Sequence, residues 1–170
     1  MKTAIIFGGS KGIGAQIVRE FASSGYFVVF SYNTSLSAAK ALEDELNKEK
    51  NCALAIKADI SNYSEIENLI NETLKVRKNI DVAIICAGIS KKNLLIDATL
   101  DEINEVINVN LIGTIYAARA VAKQMLIEHS GKIITISSMW GEVGACMESI
   151  YSASKGGVIA FTKALAKDLG

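Results

Sequence analysis

Proline is absent from the 170 residues, although average usage near ~5% would supply about eight. Nothing in the chain reads as a proline-rich linker, a repeat or a low-complexity tract. Acidic and basic residues balance at 18 each, so no global field draws the molecule to nucleic acid, an anionic membrane or an acidic substrate. No apolar run approaches the ~18 residues of a membrane span, and Met1-Lys2-Thr3 leads straight into a strand-like segment without a signal-peptide pattern. The three cysteines, Cys52, Cys86 and Cys146, lie far apart and form no Cys-x-x-Cys or metal-ligand spacing. They read as buried free thiols in a reducing cytosol, and no metal site is expected. The single histidine, His129, reads as a helix C-terminal residue rather than a catalytic one. These exclusions leave a cytoplasmic protein whose residues 1–170 form one domain, large enough to bury about two-thirds of its unfolded surface.

What is present is alternation. Ala4-Ile5-Ile6-Phe7 is a short apolar run ending in Gly8-Gly9-Ser10-Lys11-Gly12-Ile13-Gly14. Ile13, Ile17, Val18 and Phe21 then recur at helical spacing until Gly25, well placed as a cap. A second apolar run, Phe27-Val28-Val29-Phe30, precedes a helical pattern carried by Ala38, Ala39, Leu42 and Leu46. Ala53–Ile56 is a third strand, ending at Asp59, with Asn62 and Glu65 as a capping pair for a helix bearing Ile66, Leu69, Ile70 and Leu74. Val82–Ile85 is a fourth strand closing at Ala87-Gly88, and a helical pattern in two pieces runs from about Leu100 to Glu128. A fifth strand, Ile133–Ile136, leads to Ser137-Ser138, and a last helix starts near Tyr151. Continuously apolar strands alternating with amphipathic helices predict an α/β fold, a doubly wound parallel sheet covered on both faces. In such sheets ligands bind at the carboxyl ends of the strands. The glycine cluster, Asp59, Ala87-Gly88 and Ser138 all fall at that edge.

Two features there carry chemistry. Glycines between a first strand and a helix let the backbone approach a pyrophosphate, which the free N–H groups and dipole of the helix start then attract. The spacing Gly8-x-x-x-Gly12-x-Gly14 differs from the GxGxxG fingerprint. In Tyr151-Ser152-Ala153-Ser154-Lys155 the phenol and the ammonium stand one helical turn apart. A tyrosine ordinarily titrates near ~10. A neighbouring cation and the positive end of a helix both favour its phenolate, which tunes it toward general acid/base work.

Taken together, Gly8-x-x-x-Gly12-Ile13-Gly14, Asp59, Ala87-Gly88, Asn110 within Val109-Asn110-Leu111, Ser138 and Tyr151-x-x-x-Lys155 resemble the short-chain dehydrogenase/reductases in order and interval. The spacing is most similar to the 3-oxoacyl-[acyl-carrier-protein] reductases, enzymes of fatty acid biosynthesis. The resemblance implies hydride transfer between a nicotinamide cofactor and a carbonyl or alcohol. Tyr151 would give or take the proton, Ser138 would hydrogen-bond the substrate oxygen, Lys155 would bind the nicotinamide ribose, and Asn110 would hold a water linking Lys155 to solvent. The implied cofactor contacts are Gly8, Ser10, Lys11, Gly12, Ile13, Gly14, Asn33, Asp59, Ile60, Ala87 and Gly88, joined by Tyr151 and Lys155. No acid follows the second strand in Ser31-Tyr32-Asn33-Thr34-Ser35, where NAD binders usually carry one, and Lys11 could meet a 2′-phosphate. NADP is therefore expected over NAD. The substrate would be a small molecule or an acyl thioester; a sugar, polyol or secondary alcohol, or a dinucleotide-binding role without turnover, are the alternatives.

Departures from the family pattern carry their own expectations. Phe7 stands where threonine is usual, and Ile85-Cys86 where two asparagines are usual, which predicts a less rigid cofactor edge. Glu128-His129 ends the long helix where carrier-protein reductases tend to be basic, an argument against an acidic carrier as partner. The alanine-rich helices, with Ala117-Ala118, Ala120, Ala122, Ala160, Ala164 and Ala166, predict close packing and, with the resemblance, a homodimer or homotetramer. Family members continue past the catalytic helix with two more strands and a substrate-covering segment. The expectation is thus that the 170 residues belong to a longer protein, its last strands missing.

Overall fold

A computed structural model describes residues 1–170. Five parallel strands, β1 (Thr3–Phe7), β2 (Phe27–Tyr32), β3 (Ala53–Lys57), β4 (Val82–Ile85) and β5 (Lys132–Thr135), form one sheet in the order β3-β2-β1-β4-β5. The helices are α1 (Gly12–Ser23), α2 (Leu36–Leu46), α3 (Tyr63–Val76), α4 (Leu100–Ile107), α5 (Gly113–Ile127), α6 (Trp140–Val143) and α7 (Ser149–Leu169). The order reverses at β1, so the crevice between β1 and β4 is the topological switch point where doubly wound sheets bind ligands.

Period-two alternation within the apolar strands separates two cores. Ile5, Phe7, Val29, Ala83 and Ile85 face α3 and α5, where they meet Ile66, Leu69, Ala117 and Val121. Ala4, Ile6, Val28, Phe30, Val82 and Ile84 face α1 and α2, against Val18, Ala39 and Leu42. Burying each large aliphatic or aromatic side chain stabilises the fold by about 1.5–3 kcal/mol. That is why β1, fully buried along its length, can sit at the centre.

Local signals behave largely as the residue pattern predicts. Gly25 has φ +83° just past α1, and the Asn62 side chain accepts from Ser64 N and donates to Glu65 Oε1 at 3.0 Å at the start of α3. The expected break in the long helix is a π turn, Asn108–Ile112, joining α4 to α5. His129 follows α5 with φ +49°. Three details differ. The fifth strand is Lys132–Thr135, one residue earlier than expected, although the Ile136 N–H still donates to Ile85 O at 2.9 Å. α7 begins at Ser149, and the short helix α6 is additional, because four residues are too few to show a period. Ile13 lies at the first turn of α1, 67% exposed, rather than in the apolar stripe.

The apolar departures are accommodated by packing. Phe7 and Ile85 are register partners, each 1% exposed, and join one core. A different side chain braces the cofactor edge: Ser31, 2% exposed on β2, accepts the Gly8 N–H at 3.0 Å through its hydroxyl. Its carbonyl accepts the Gly9 N–H at 3.0 Å.

Candidate functional site

The carboxyl ends of β1, β4 and β5 bring the predicted residues to one edge. The turn after β1 leaves the strand at Gly8, whose φ of +81° is a conformation L side chains rarely adopt. A Cβ at Gly8 would lie 2.7 Å from Ala87 Cα, and one at Gly14 would lie 2.1 Å from Gly8 O. The glycines therefore let α1 start directly against the end of β1, beside the turn after β4. No side chain caps α1 and no acid lies in its first turn. Its first N–H groups and the positive end of its dipole are free for an anion. Gly12, with φ +54°, has open space where a Cβ would project, Ser10 is half-buried, and Lys11 is exposed at the N-cap. A dinucleotide fits this cradle, since its pyrophosphate needs close backbone approach and uncapped N–H donors.

Farther along the edge, Asn33 and Asp59 meet. Asn33 Nδ2 donates to Asp59 Oδ2 at 2.9 Å, while Asp59 Oδ1 accepts from Ser61 N at 2.9 Å and from Ser61 Oγ at 2.7 Å. These bonds join the exits of β2 and β3. Ile60, also an implied cofactor contact, follows Asp59 at the exit of β3. It is 5% exposed and packs into the core, where a Cβ at Gly113 would lie 2.9 Å from it.

The proton-transfer candidates converge on Lys155. Tyr151 is the third residue of α7 and half-buried, Lys155 follows one turn later at 4% exposure, and the ammonium is 5.9 Å from the centre of the Tyr151 ring. Lys155 Nζ donates to Ile136 O at 2.8 Å, and Ser137 Oγ donates to Lys155 O at 2.8 Å. The exit of β5 is thus pinned to α7 at both ends of one residue. Burial pushes the Lys155 ammonium below its ordinary range, partly opposed by the Cys86 thiol; burial also pushes that thiol up, partly opposed by the Lys155 cation. Ser138, half-buried two residues beyond Ile136, accepts from Trp140 N at 3.2 Å. Its hydroxyl proton and the Tyr151 hydroxyl make no bond within the chain, so both are available to a substrate oxygen.

Asn110 is fully buried in the π turn. Its Oδ1 accepts from Ile89 N at 2.8 Å, and its Nδ2 donates to Ile89 O at 2.9 Å and to Ser154 Oγ at 3.0 Å. A Cβ on Gly88 would lie 3.3 Å from Asn110 Oδ1 and 3.4 Å from Lys155 Nζ. The turn after β4 therefore runs close over both groups, and a side chain there would have to displace one of them by a few tenths of an ångström. Four participants escaped the residue pattern: Ser31, Ile136, Ser137 and Ser154. Ser154 lies inside the Tyr-x-x-x-Lys segment, so a hydroxyl next to the lysine was the available signal. The other three act through contacts that only the sheet register creates.

Comparison with known proteins gives a family and a set of relatives for the chain. Residues 2–170 match the family model described as short chain dehydrogenase. The 3-oxoacyl-[acyl-carrier-protein] reductase of Synechocystis sp. is 39% identical over 168 residues, 99% of this chain and 68% of the relative. The 3-oxoacyl-[acyl-carrier-protein] reductase FabG of Staphylococcus epidermidis is 35% identical, covering 99% of this chain and 69% of the relative. The crystal structure of gox2181 superposes with a TM-score of 0.93 at 27% identity, covering 99% of this chain and 66% of that one. The chain spans about two-thirds of the length of these relatives.

Proposed function

The chain belongs to the short-chain dehydrogenase family, and on that premise we propose that it is an NADP-dependent reductase of carbonyl compounds, with a 3-oxoacyl thioester as the first substrate class to test. The observation that carries the reading is the buried Lys155 ammonium, anchored on Ile136 O and held beneath Gly88 within reach of the Tyr151 ring. In this reading the bound dinucleotide supplies or accepts the hydride at its nicotinamide.

The chain's own residues do the rest. Tyr151 donates a proton to the nascent alkoxide oxygen, and Ser138, with an uncommitted hydroxyl proton, hydrogen-bonds the same oxygen. The Lys155 ammonium, 5.9 Å from the centre of the phenol ring, offsets the negative charge left on the tyrosine oxygen after transfer. General acid catalysis of this kind contributes about 10²–10⁴-fold. Asn110 holds the turn at Ile89 against α7, fixing the floor beneath the nicotinamide ribose. Lys11, uncapped and exposed at the glycine turn, meets the 2′-phosphate, while Asn33 and Asp59 frame the adenosine end. Residues 1–170 act as one dinucleotide-binding unit, in a cytoplasmic enzyme assembled as a homo-oligomer. No helix is long and apolar enough to cross a membrane.

The test is a panel of 3-oxoacyl thioesters, ketones and aldehydes with NADPH and NADH, followed by dinucleotide absorbance. NADPH-dependent reduction of a 3-oxoacyl thioester is expected. Binding of NADPH without reduction of any carbonyl would contradict the assignment as a reductase.

A further inference from the structure

Asn110 can hold the turn after β4 in only one orientation, and a group on α7 accepts its remaining amide proton and locks that orientation. Ser154 is 0% exposed and makes two hydrogen bonds of opposite sense. Its hydroxyl donates to Tyr151 O at 2.7 Å and accepts from Asn110 Nδ2 at 3.0 Å. With its proton committed to the Tyr151 carbonyl, the Ser154 oxygen can only accept. It therefore demands the amide nitrogen of Asn110, not the carbonyl oxygen, on the α7 side. That choice sends Asn110 Oδ1 to Ile89 N, completing the pair of bonds that pins both backbone groups of Ile89.

We propose that Ser154 is a positioning residue for the dinucleotide. It locks the Asn110 carboxamide in place and through it steadies the Gly88-Ile89 turn, where the nicotinamide ribose would lie above Lys155. This rests on the functional reading for the identity of the ligand, but not for the geometry of the turn. Without the Ser154 hydroxyl, one Asn110 N–H is left buried and unpaired, a costly state that rotation or retreat of the side chain would relieve. Either movement releases Ile89. The lysine beneath keeps its own anchor on Ile136 O, so the damage falls on the turn and leaves the ammonium in place.

The experiment combines hydrogen exchange by NMR with steady-state kinetics on wild type, Ser154→Ala and Ser154→Thr. In the wild-type protein without dinucleotide, the Ile89 amide and the Asn110 carboxamide protons are expected to be protected. Fast exchange of both would overturn the proposal whatever the variants do, including any failure of Ser154→Ala to fold. In Ser154→Ala the Ile89 amide should exchange about tenfold faster and the KM for the dinucleotide rise about tenfold. The kcat should change much less, and Ser154→Thr, which keeps a hydroxyl able to bond the preceding turn, should restore both. Unchanged Ile89 exchange and unchanged dinucleotide KM in Ser154→Ala would overturn the proposal. A purely structural role would lower the fraction of folded protein without moving KM. If the wild type binds no dinucleotide, the functional reading fails, and Ile89 exchange alone still decides the role of Ser154.

Discussion

Lys155 and Tyr151 stand one turn apart on α7 with the ammonium 5.9 Å from the centre of the phenol ring, and it is the lysine, not the tyrosine, that is buried. The cation is held by a backbone carbonyl, Ile136 O, and not by a carboxylate. A charge kept in a dry place without an ionic partner costs stability, a pattern expected where a group is retained for function.

That cost has a pH signature. The unfolded lysine titrates near its ordinary value of 10.5, and burial, opposed in part by Cys86, puts the folded one lower. Between those two values the unfolded chain binds more protons, so this residue makes stability rise with pH across that window. Below it, the full penalty of the buried ammonium is present. The Tm of wild type relative to Lys155→Met should therefore climb as pH is raised into the alkaline range toward the ordinary lysine value. Parallel Tm curves for the two proteins would contradict the burial argument.

Cys86 reports the same electrostatics from the other side. Burial raises its thiol and the Lys155 cation opposes the rise. Cys146 is exposed, not buried as its sequence setting suggests, so alkylation near neutral pH should reach it first, with Cys86 lagging by about tenfold or more. Lys155→Met should move the onset of Cys86 alkylation to still higher pH, because the opposing cation is gone. Mass mapping of modified peptides over a pH series checks both. An onset unchanged in the variant would show that the two groups do not interact.

In the proposed reading, cofactor choice rests on Lys11 in the glycine turn and on the absence of an acid after β2. Lys11→Ala should raise the KM for NADPH by about tenfold, equivalent to ~1.4 kcal/mol, while changing that for NADH little. Asn33→Asp should shift preference toward NADH by placing a carboxylate at the ribose hydroxyls. A wild-type preference for NADH, or equal losses with both dinucleotides in Lys11→Ala, would refute the assignment.

How much of this was legible in the residues depends on the range of the interaction. Tyr151 and Lys155 could be paired because helical spacing alone puts them on one face. The glycine turn could be placed because strand and helix patterns bracket it. The anchor of Lys155 on Ile136 O spans nineteen positions, and the Ser154 link to Asn110 spans forty-four. Both exist only because β5 pairs with β4 and α7 folds back over the π turn. Ser31 was hidden for the same reason, twenty-three positions from Gly8. Without the neighbouring strand, the loss of the usual threonine and asparagines predicted a loose cofactor edge. With the strand in place, Phe7 and Ile85 fill the core and a β2 hydroxyl braces the turn. Ile13 shows the opposite error, an apolar residue counted into a helix stripe although its position in the first turn leaves it at the cleft.

Proton transfer by Tyr151 is tested by replacing Tyr151 with Phe and measuring single-turnover reduction beside NADPH binding. The ring and its packing are kept and only the hydroxyl is lost. The account predicts a fall in the reduction rate of about 10²–10⁴-fold with NADPH affinity changed by less than about threefold. A variant that reduces carbonyls at the wild-type rate while binding NADPH normally would contradict it.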